Sequence, residues 1–373
     1  MRKLGKFLLF LLMITIIGGL AYFTWMIYTD LFDGKTVQTL QTEDPIIAID
    51  DGSGATKKTE RKSIGETISD IFTTEEPKQI TYSETNSSGK YFYEQLNENQ
   101  KILYNGFQES KKYLATGTYS IEYGNKFSST LSAENGSEIL GNDYQTAIEA
   151  FIQDNPDLFY IDISKMYLNM ESTKRAFKTT YNVYIKPADG GNYYAKGFSS
   201  ESQVNAAIMK IEEVRNYIKS KLTGNTYKDI KLIHDYLVDT IDYDSNYESI
   251  GSYTLYGALI DKKCVCEGYA RAFKYLTDAA GINCVFMQGE ATNSDGTTEK
   301  HAWNAVSING SWYLIDTTWD DPIIVGRGYI LSSVHYKYFL KGSDYFYKDH
   351  TLERQFTDKG KVFNYPTISV NNY

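Results

Sequence analysis

The chain is poor in metal-binding side chains. It has only four histidines and three cysteines, and none stands at the spacing of a Cys/His ligand set. That excludes a zinc site of the usual closed kind. No EF-type calcium loop is present, and no internal repeat is evident. Positive charge is also short, with 38 Lys and Arg against 47 Asp and Glu and a net charge of −9. A nucleic-acid partner is therefore excluded on electrostatic grounds. No cysteine lies near the N-terminus to take a lipid anchor. Three cysteines cannot all pair with one another. A Cys264–Cys266 bridge would be strained at that separation, whereas Cys264–Cys284 is open and would suit an oxidising exterior.

What is abundant is apolar and aromatic material: 42% hydrophobic residues and 33 tyrosines. That is enough for one large domain or two modest ones, with a tyrosine-rich surface suited to polymer, glycan or protein contacts. From Phe7 to Tyr28 the chain is apolar apart from Thr15 and Thr24. At about 1.5 Å per residue this stretch reaches roughly 33 Å, enough to span a bilayer core. Arg2, Lys3 and Lys6 precede it and place the N-terminus in the cytoplasm. The run is too long for a signal-peptide core and lacks a small-x-small cleavage site, so residues 1–29 read as an uncleaved signal anchor. The rest is expected outside the cell membrane.

Residues 30–90 are rich in Thr, Ser, Glu, Asp, Lys and Gly and read as a flexible tether. The apolar runs Ile46–Ile49 and Ile64–Phe72 are candidates for local order on contact. Residues 91–200 read as an α+β extension. Leu96, Ile102, Leu103 and Phe107 suggest a helix, Thr118–Tyr123 a strand, Tyr144–Gln153 a helix and Tyr181–Ile185 a strand. Two amphipathic helices open residues 201–373. The first is marked by Val204, Ala207, Ile208, Ile211, Val214 and Ile218, the second by Ile230, Ile233, Leu237 and Ile241.

Three residues in this last part carry the chemistry. After Cys266, the residues Tyr269, Ala272, Phe273, Leu276 and Ala280 form a helical apolar stripe ending at Gly281, a C-capping glycine. Cys266 is thus placed at a helix N-terminus, where exposed N–H groups and the helix dipole favour a thiolate. Downstream, Asn309-Gly310 sits between alternating residues, the signature of a two-residue hairpin loop. Pairing Ile308 with Ser311 puts His301 opposite Thr318 and diagonal to Asp316, within reach of a His–Asp contact. Nucleophile, base and base-orienting carboxylate are the parts of a thiol catalytic triad. Taken singly, each residue is better read as a packed or surface residue; the combination favours catalysis.

Three blocks of sequence resemble the bacterial transglutaminase-like proteins. They are Cys264-Val265-Cys266-Glu267-Gly268-Tyr269-Ala270-Arg271-Ala272-Phe273, then His301-Ala302-Trp303-Asn304, then Trp312 through Pro322. Ile233-His234-Asp235-Tyr236-Leu237 resembles the helix before their core, and the likeness continues more loosely to Tyr338-Phe339-Leu340 and His350. Cys264 departs from the pattern, standing where a glycine is common. The resemblance implies an α+β, papain-like fold with residues 201–373 as catalytic domain: a Cys-bearing helix packed on an antiparallel sheet that carries the histidine and aspartate. It also implies Cys266 as nucleophile, His301 as base, Asp316 as orienter, and no cofactor.

The expected reaction is acyl transfer through a Cys266 thioester, on amide groups of surface proteins or cell-wall peptides. Backbone N–H groups at the helix start would hold the oxyanion. A cysteine peptidase or amidase, and a non-catalytic peptide-binding module, stay open. Among the remaining candidates, His234 suggests a structural hydrogen bond, and His335 and His350 surface or packing roles. Asp316, Asp320 and Asp321 form either a calcium site or hydrogen-bonding turns. Trp303 and Trp319 line the cleft or pack the core. Cys284 reads as a buried strand residue.

Overall fold

The computed structural model describes residues 34–41, 90–175, 178–321, 335–353, 355–356 and 362–373. The apolar stretch Phe7–Tyr28 lies outside them, as do the Ile46–Ile49 and Ile64–Phe72 runs. Among the described residues no helix is long and apolar enough to cross a membrane.

The first part of the chain builds an antiparallel sheet and two long helices, with shorter helical turns between them. Strand β1 (Gly34–Gln41) comes from within the segment expected to be a tether, and it lies along β3. Helix α1 (Glu98–Ser110) starts at a reciprocal cap. The Asn97 side chain accepts from the Gln100 N–H at 2.9 Å, and the Gln100 side chain accepts from the Asn97 N–H at 3.0 Å. Two orphan donors of the first turn are so satisfied. Strand β2 (Ile121–Gly124) leads to helix α2 (Gly136–Asp154), which begins eight residues before the expected Tyr144. Strands β3 (Tyr167–Arg175) and β4 (Lys178–Lys186) complete a sheet of order β1-β3-β4-β2.

The second part carries helices α3 (Glu201–Lys219), α4 (Thr226–Thr240) and α5 (Cys266–Ala279). The short strands β5 (Asp242–Tyr243) and β6 (Lys263–Cys264) pair in parallel just before α5. Helix α5 ends as expected: Gly281 is left-handed (φ 72°), its N–H reaches the Asp278 carbonyl, and the Ile282 N–H reaches the Thr277 carbonyl. That is a Schellman ending, which needs φ > 0 and therefore favours glycine. Strands β7 (Cys284–Thr292), β8 (Thr298–Ile308), β9 (Ser311–Ile315) and β10 (His350–Leu352) form the second antiparallel sheet, ordered β10-β7-β8-β9. Helix α5 packs on β7 and β8, with α4 against it. This is the papain-like arrangement of a Cys-bearing helix on an antiparallel sheet.

One contiguous apolar core runs through both parts, from Phe92, Phe107 and Phe151 to Tyr269, Phe273 and Trp303. Aromatic contacts stitch them together: Tyr91 to Trp312 at 6.1 Å, Phe92 to Phe363 at 5.3 Å and Phe159 to Tyr256 at 5.7 Å between ring centroids. The fully buried Lys274 of α5 hydrogen-bonds to Asp278 and to the Cys284 carbonyl. Its charge also acts on Asp154 at the end of α2, which burial pushes up to about 7.

Candidate active site

The thiol end is fixed by a glycine. A Cβ on Gly268 would lie 2.6 Å from Cys264 Cβ, 2.8 Å from Cys264 Sγ and 2.8 Å from the Ser252 carbonyl oxygen. Only a residue without a side chain lets the first turn of α5 close onto β6. Cys264 is fully buried there, and burial pushes its thiol well above the usual range. It is thus a packing residue. All three cysteines are free, so the Cys264–Cys284 bridge held open from the sequence is not formed. Burial likewise pushes Cys284 up to about 12.

Cys266 is the first residue of α5 and is partly exposed. It packs against Ala270, Phe286 and Ala302. Val265 precedes it in an extended conformation and offers no side-chain cap, so the first-turn N–H groups have no capping side chain. Asn304 Nδ2 donates to the Ala270 carbonyl at 3.0 Å, which ties this helix to β8 one turn beyond the thiol.

The hairpin has the expected register. Ile308 pairs with Ser311 and Asn304 with Ile315, around Asn309 and Gly310 at φ 52° and 79°. Positive φ at both central residues is the twist-matching turn that Asn-Gly favours. The ladder stops at Ile315, short of the expected His301–Thr318 opposition. There the Asp316 N–H turns to the Tyr338 carbonyl and the chain enters a tight turn. That turn brings the carboxylate under the ring: His301 Nε2 and Asp316 Oδ2 are 2.8 Å apart.

Asp316 is fully buried and densely solvated by the protein. Its Oδ1 accepts the N–H groups of Thr318 (2.9 Å) and Trp319 (3.1 Å), and its Oδ2 faces His301 and, at 3.2 Å, His350 Nε2. Burial alone would raise this carboxyl; the charge and hydrogen bond of His301, with those of His350, hold it well below the usual range. Burial likewise disfavours a charged His301. The Asp316 charge and hydrogen bond, followed by the hydrogen bond and charge of Cys266, outweigh that and raise it well above the ordinary value. Asp316 and Cys266 therefore both act on the His301 ring and favour its imidazolium form. Tyr243 stands beside the thiol, its phenol pushed up by burial and by the charge of Cys266.

His301, Asp316 and His350 present three potential ligand atoms within 4.8 Å of one another. Two ligands of one tetrahedral zinc at about 2.0–2.1 Å stand roughly 3.3 Å apart. The 2.8 Å His301–Asp316 separation is shorter and is that of a hydrogen bond. Asp316, Asp320 and Asp321 do not converge on a common point either. Asp320 faces His234 Nε2 at 3.1 Å and accepts the Tyr338 N–H at 2.7 Å, while Asp321 accepts from the Tyr269 hydroxyl. They are hydrogen-bonding turn residues rather than a calcium site. His234 is buried against Asp320 and Asp235, a structural position.

The tryptophans divide. Trp303 is fully buried and packs on Phe346 and His350, whereas Trp319 is partly buried, with its ring 5.5 Å from that of His301.

Two site residues were missed from sequence. His350 was read as surface or packing; it is 1% exposed and bonded to Asp316. Its contact spans 34 residues of sequence, and no local pattern announces it. Gly289, in β7, lies opposite His301, and a Cβ there would meet the Thr351 carbonyl oxygen at 2.0 Å and Trp303 Cη2 at 2.6 Å. An isolated glycine inside an apolar strand was a readable sign of such a close approach.

Residues 212–317 match the family model of the transglutaminase-like superfamily. The match includes Cys266, His301 and Asp316. Over 160 residues the chain is 25% identical to kyphoscoliosis peptidase of Mus musculus, and over 70 residues 33% identical to that of Homo sapiens. These alignments cover 39% and 17% of this chain, and the chain spans only 24% and 11% of those relatives' length. Among solved structures it is similar to a crystal structure of a TGase, with a TM-score of 0.28 and 14% identity over 44% of this chain and 46% of that one. It is also similar to a putative cysteine protease from Cytophaga hutchinsonii, with a TM-score of 0.25 and 14% identity over 41% and 57%. The curated relatives named here are mammalian, so the bacterial character of the resemblance gains no support from them.

Proposed function

We propose that this transglutaminase-like domain is a thiol acyltransferase that opens a carboxamide through a Cys266 thioester. The observation that carries it is the His301 ring, 2.8 Å from Asp316 and influenced by the hydrogen bond and charge of Cys266, the first residue of α5. In this reaction the Cys266 sulfur attacks the carbonyl carbon of a glutamine-type side chain or peptide amide. His301 delivers its proton to the departing amine, and a thioester is left. The first-turn N–H groups of α5 are placed to hold the developing oxyanion. A second amine then takes the acyl group, with His301 as base. Asp316 keeps the ring oriented and its charge balanced throughout.

A groove of about 680 Å³ lies where the two parts of the molecule meet, lined by Phe159, Phe198, Tyr253, Tyr256 and Lys263. Protein or wall-peptide substrates, with the domain held outside the membrane by the apolar 7–28 stretch, are part of this proposal. Hydrolysis of the same thioester is a second reading, favoured by the name peptidase borne by the mouse and human relatives.

The test is brief, low-dose iodoacetamide treatment of the full chain near neutral pH, read by mass spectrometry, followed by amine-donor assays. Selective labelling of Cys266 that disappears in His301→Ala supports an activated nucleophile. Labelling no faster than free cysteine overturns it. Incorporation of a small primary amine into a glutamine peptide supports transfer; release of fragments with no incorporation favours hydrolysis.

A further inference from the structure

The orienting carboxylate has a second imidazole on it. We propose that His350 is a positioning residue of this site, bridging Asp349 to Asp316 and locking the carboxylate on which His301 is oriented. This role presupposes that Cys266 is the nucleophile, and it adds a residue beyond the family match, which ends at Thr317.

Each ring nitrogen of His350 faces a carboxylate oxygen: Nδ1 lies 2.8 Å from Asp349 Oδ1 and Nε2 lies 3.2 Å from Asp316 Oδ2. Asp316 is held ionised and accepts, so the contact from Nε2 requires an N–H there. Asp349 is fixed in turn, because its carbonyl accepts the Thr292 N–H at 2.8 Å and its Oδ2 accepts the Tyr338 hydroxyl at 2.6 Å. The imidazole itself is clamped by rings, with centroids 4.1 Å from Phe346, 4.6 Å from Trp319 and 5.2 Å from Trp303. The titratable groups facing it are thus Asp349, Asp316, His301 and the Tyr338 phenol; the remaining ring neighbours are uncharged.

The consequence falls on Asp316. A carboxylate has about four lone-pair sites, and here four donors take them: two backbone N–H groups on Oδ1 and two imidazoles on Oδ2. A carboxylate so saturated cannot rotate away from His301. Without His350, Oδ2 keeps a single donor in a site with no access to water, and the His301 ring loses a fixed partner. The fold supplies the approach. His350 pairs with Ala291 on β7, next to Gly289, which lies opposite His301. The two imidazole rings lie 5.5 Å apart.

The experiment uses the full chain labelled with ¹⁵N-histidine, whose four histidines allow each ring to be assigned. His350 should carry a proton on Nε2, the nitrogen that faces Asp316. In His350→Gln, where an amide N–H can still reach Asp316, Cys266 alkylation should stay within about threefold of wild type. In His350→Phe, which keeps the ring packing but deletes the Nε2 donor, it should fall about tenfold or more, the scale of one hydrogen bond to a charged group. The ¹⁵N signals of His301 should shift in His350→Phe but not in an exposed-site control. A bare Nε2 on His350 in the wild type overturns the proposal, and this readout needs no variant to fold. Wild-type alkylation in a folded His350→Phe overturns it equally. Absence of selective Cys266 labelling in the wild type would instead remove the nucleophile itself, a different failure.

Discussion

Two buried His–Asp pairs stand within one turn of each other, and only one of them has the surroundings of a catalyst. His301–Asp316 and His234–Asp320 have similar separations, 2.8 and 3.1 Å, and neither aspartate is exposed. Asp316 collects two backbone N–H groups and two imidazoles, and the charges and hydrogen bonds of His301 and then His350 overcome burial and hold it well below the usual range. Asp320 has one backbone N–H and one imidazole; burial wins, and it is pushed up to about 6. His301 turns its other side to a thiol at a helix start, while His234 sits among Tyr336, Phe339 and Asp235. The chemistry of the pair is therefore set by its donors and by what lies on the far side of the ring.

The comparison is broken most sharply by paired substitutions. Asp316→Asn should keep the fold and lower turnover strongly, by up to about four orders of magnitude, as for orienting carboxylates of other triads. Asp320→Asn should leave turnover within about tenfold. Steady-state kinetics on the two variants checks both, and near-normal turnover in Asp316→Asn would take that residue out of the mechanism.

Gly289→Ala comes next. Its Cβ would overlap the Thr351 carbonyl, so β10 must move, at a cost of about 1–3 kcal/mol for forced overpacking. Denaturant titration should show the loss. Because β10 carries His350, the ¹⁵N signal of that ring should move more than that of His234.

The last contrast is in stability against pH, where the two aspartates have opposite signs. Asp316 has a lowered folded value, so its contribution is present above the ordinary carboxyl range, about pH 4, and fades as pH falls. Asp320 and Asp154, raised by burial to about 6 and about 7, stabilise the fold when protonated. Their share is present below about pH 4 and is lost as pH rises through 6 to 7. Asp154→Asn should flatten the decline in unfolding free energy between about pH 4 and pH 7, by a few kcal/mol at most at about 1.4 kcal/mol per pH unit. An unchanged slope would show that Asp154 does not carry it.

Much of the site was legible because its determinants are local. The apolar stripe after Cys266 and the left-handed Gly281 define α5. Asn309-Gly310 sets the register that carries His301 and Asp316 to the same end of the sheet. Helix periodicity and hairpin turns act over a few residues, and sequence records them directly. The extension was less clear: β3 went unseen, α2 proved longer than its apolar stripe, and part of the expected tether is strand β1. In such elements burial on both faces and partner strands far along the chain override local pattern.

The sequence by itself determined the order nucleophile, base, orienter, and the elements that present them, because spacing and turn chemistry are properties of short stretches. Tertiary structure decided which aspartate is held ionised and which is pushed up. It also decided that Trp303 is core, that Cys264 only packs beneath Gly268, and that His350 closes on Asp316. Those outcomes depend on burial and on donors brought together from positions tens of residues apart, and desolvation has no signature until the chain has folded.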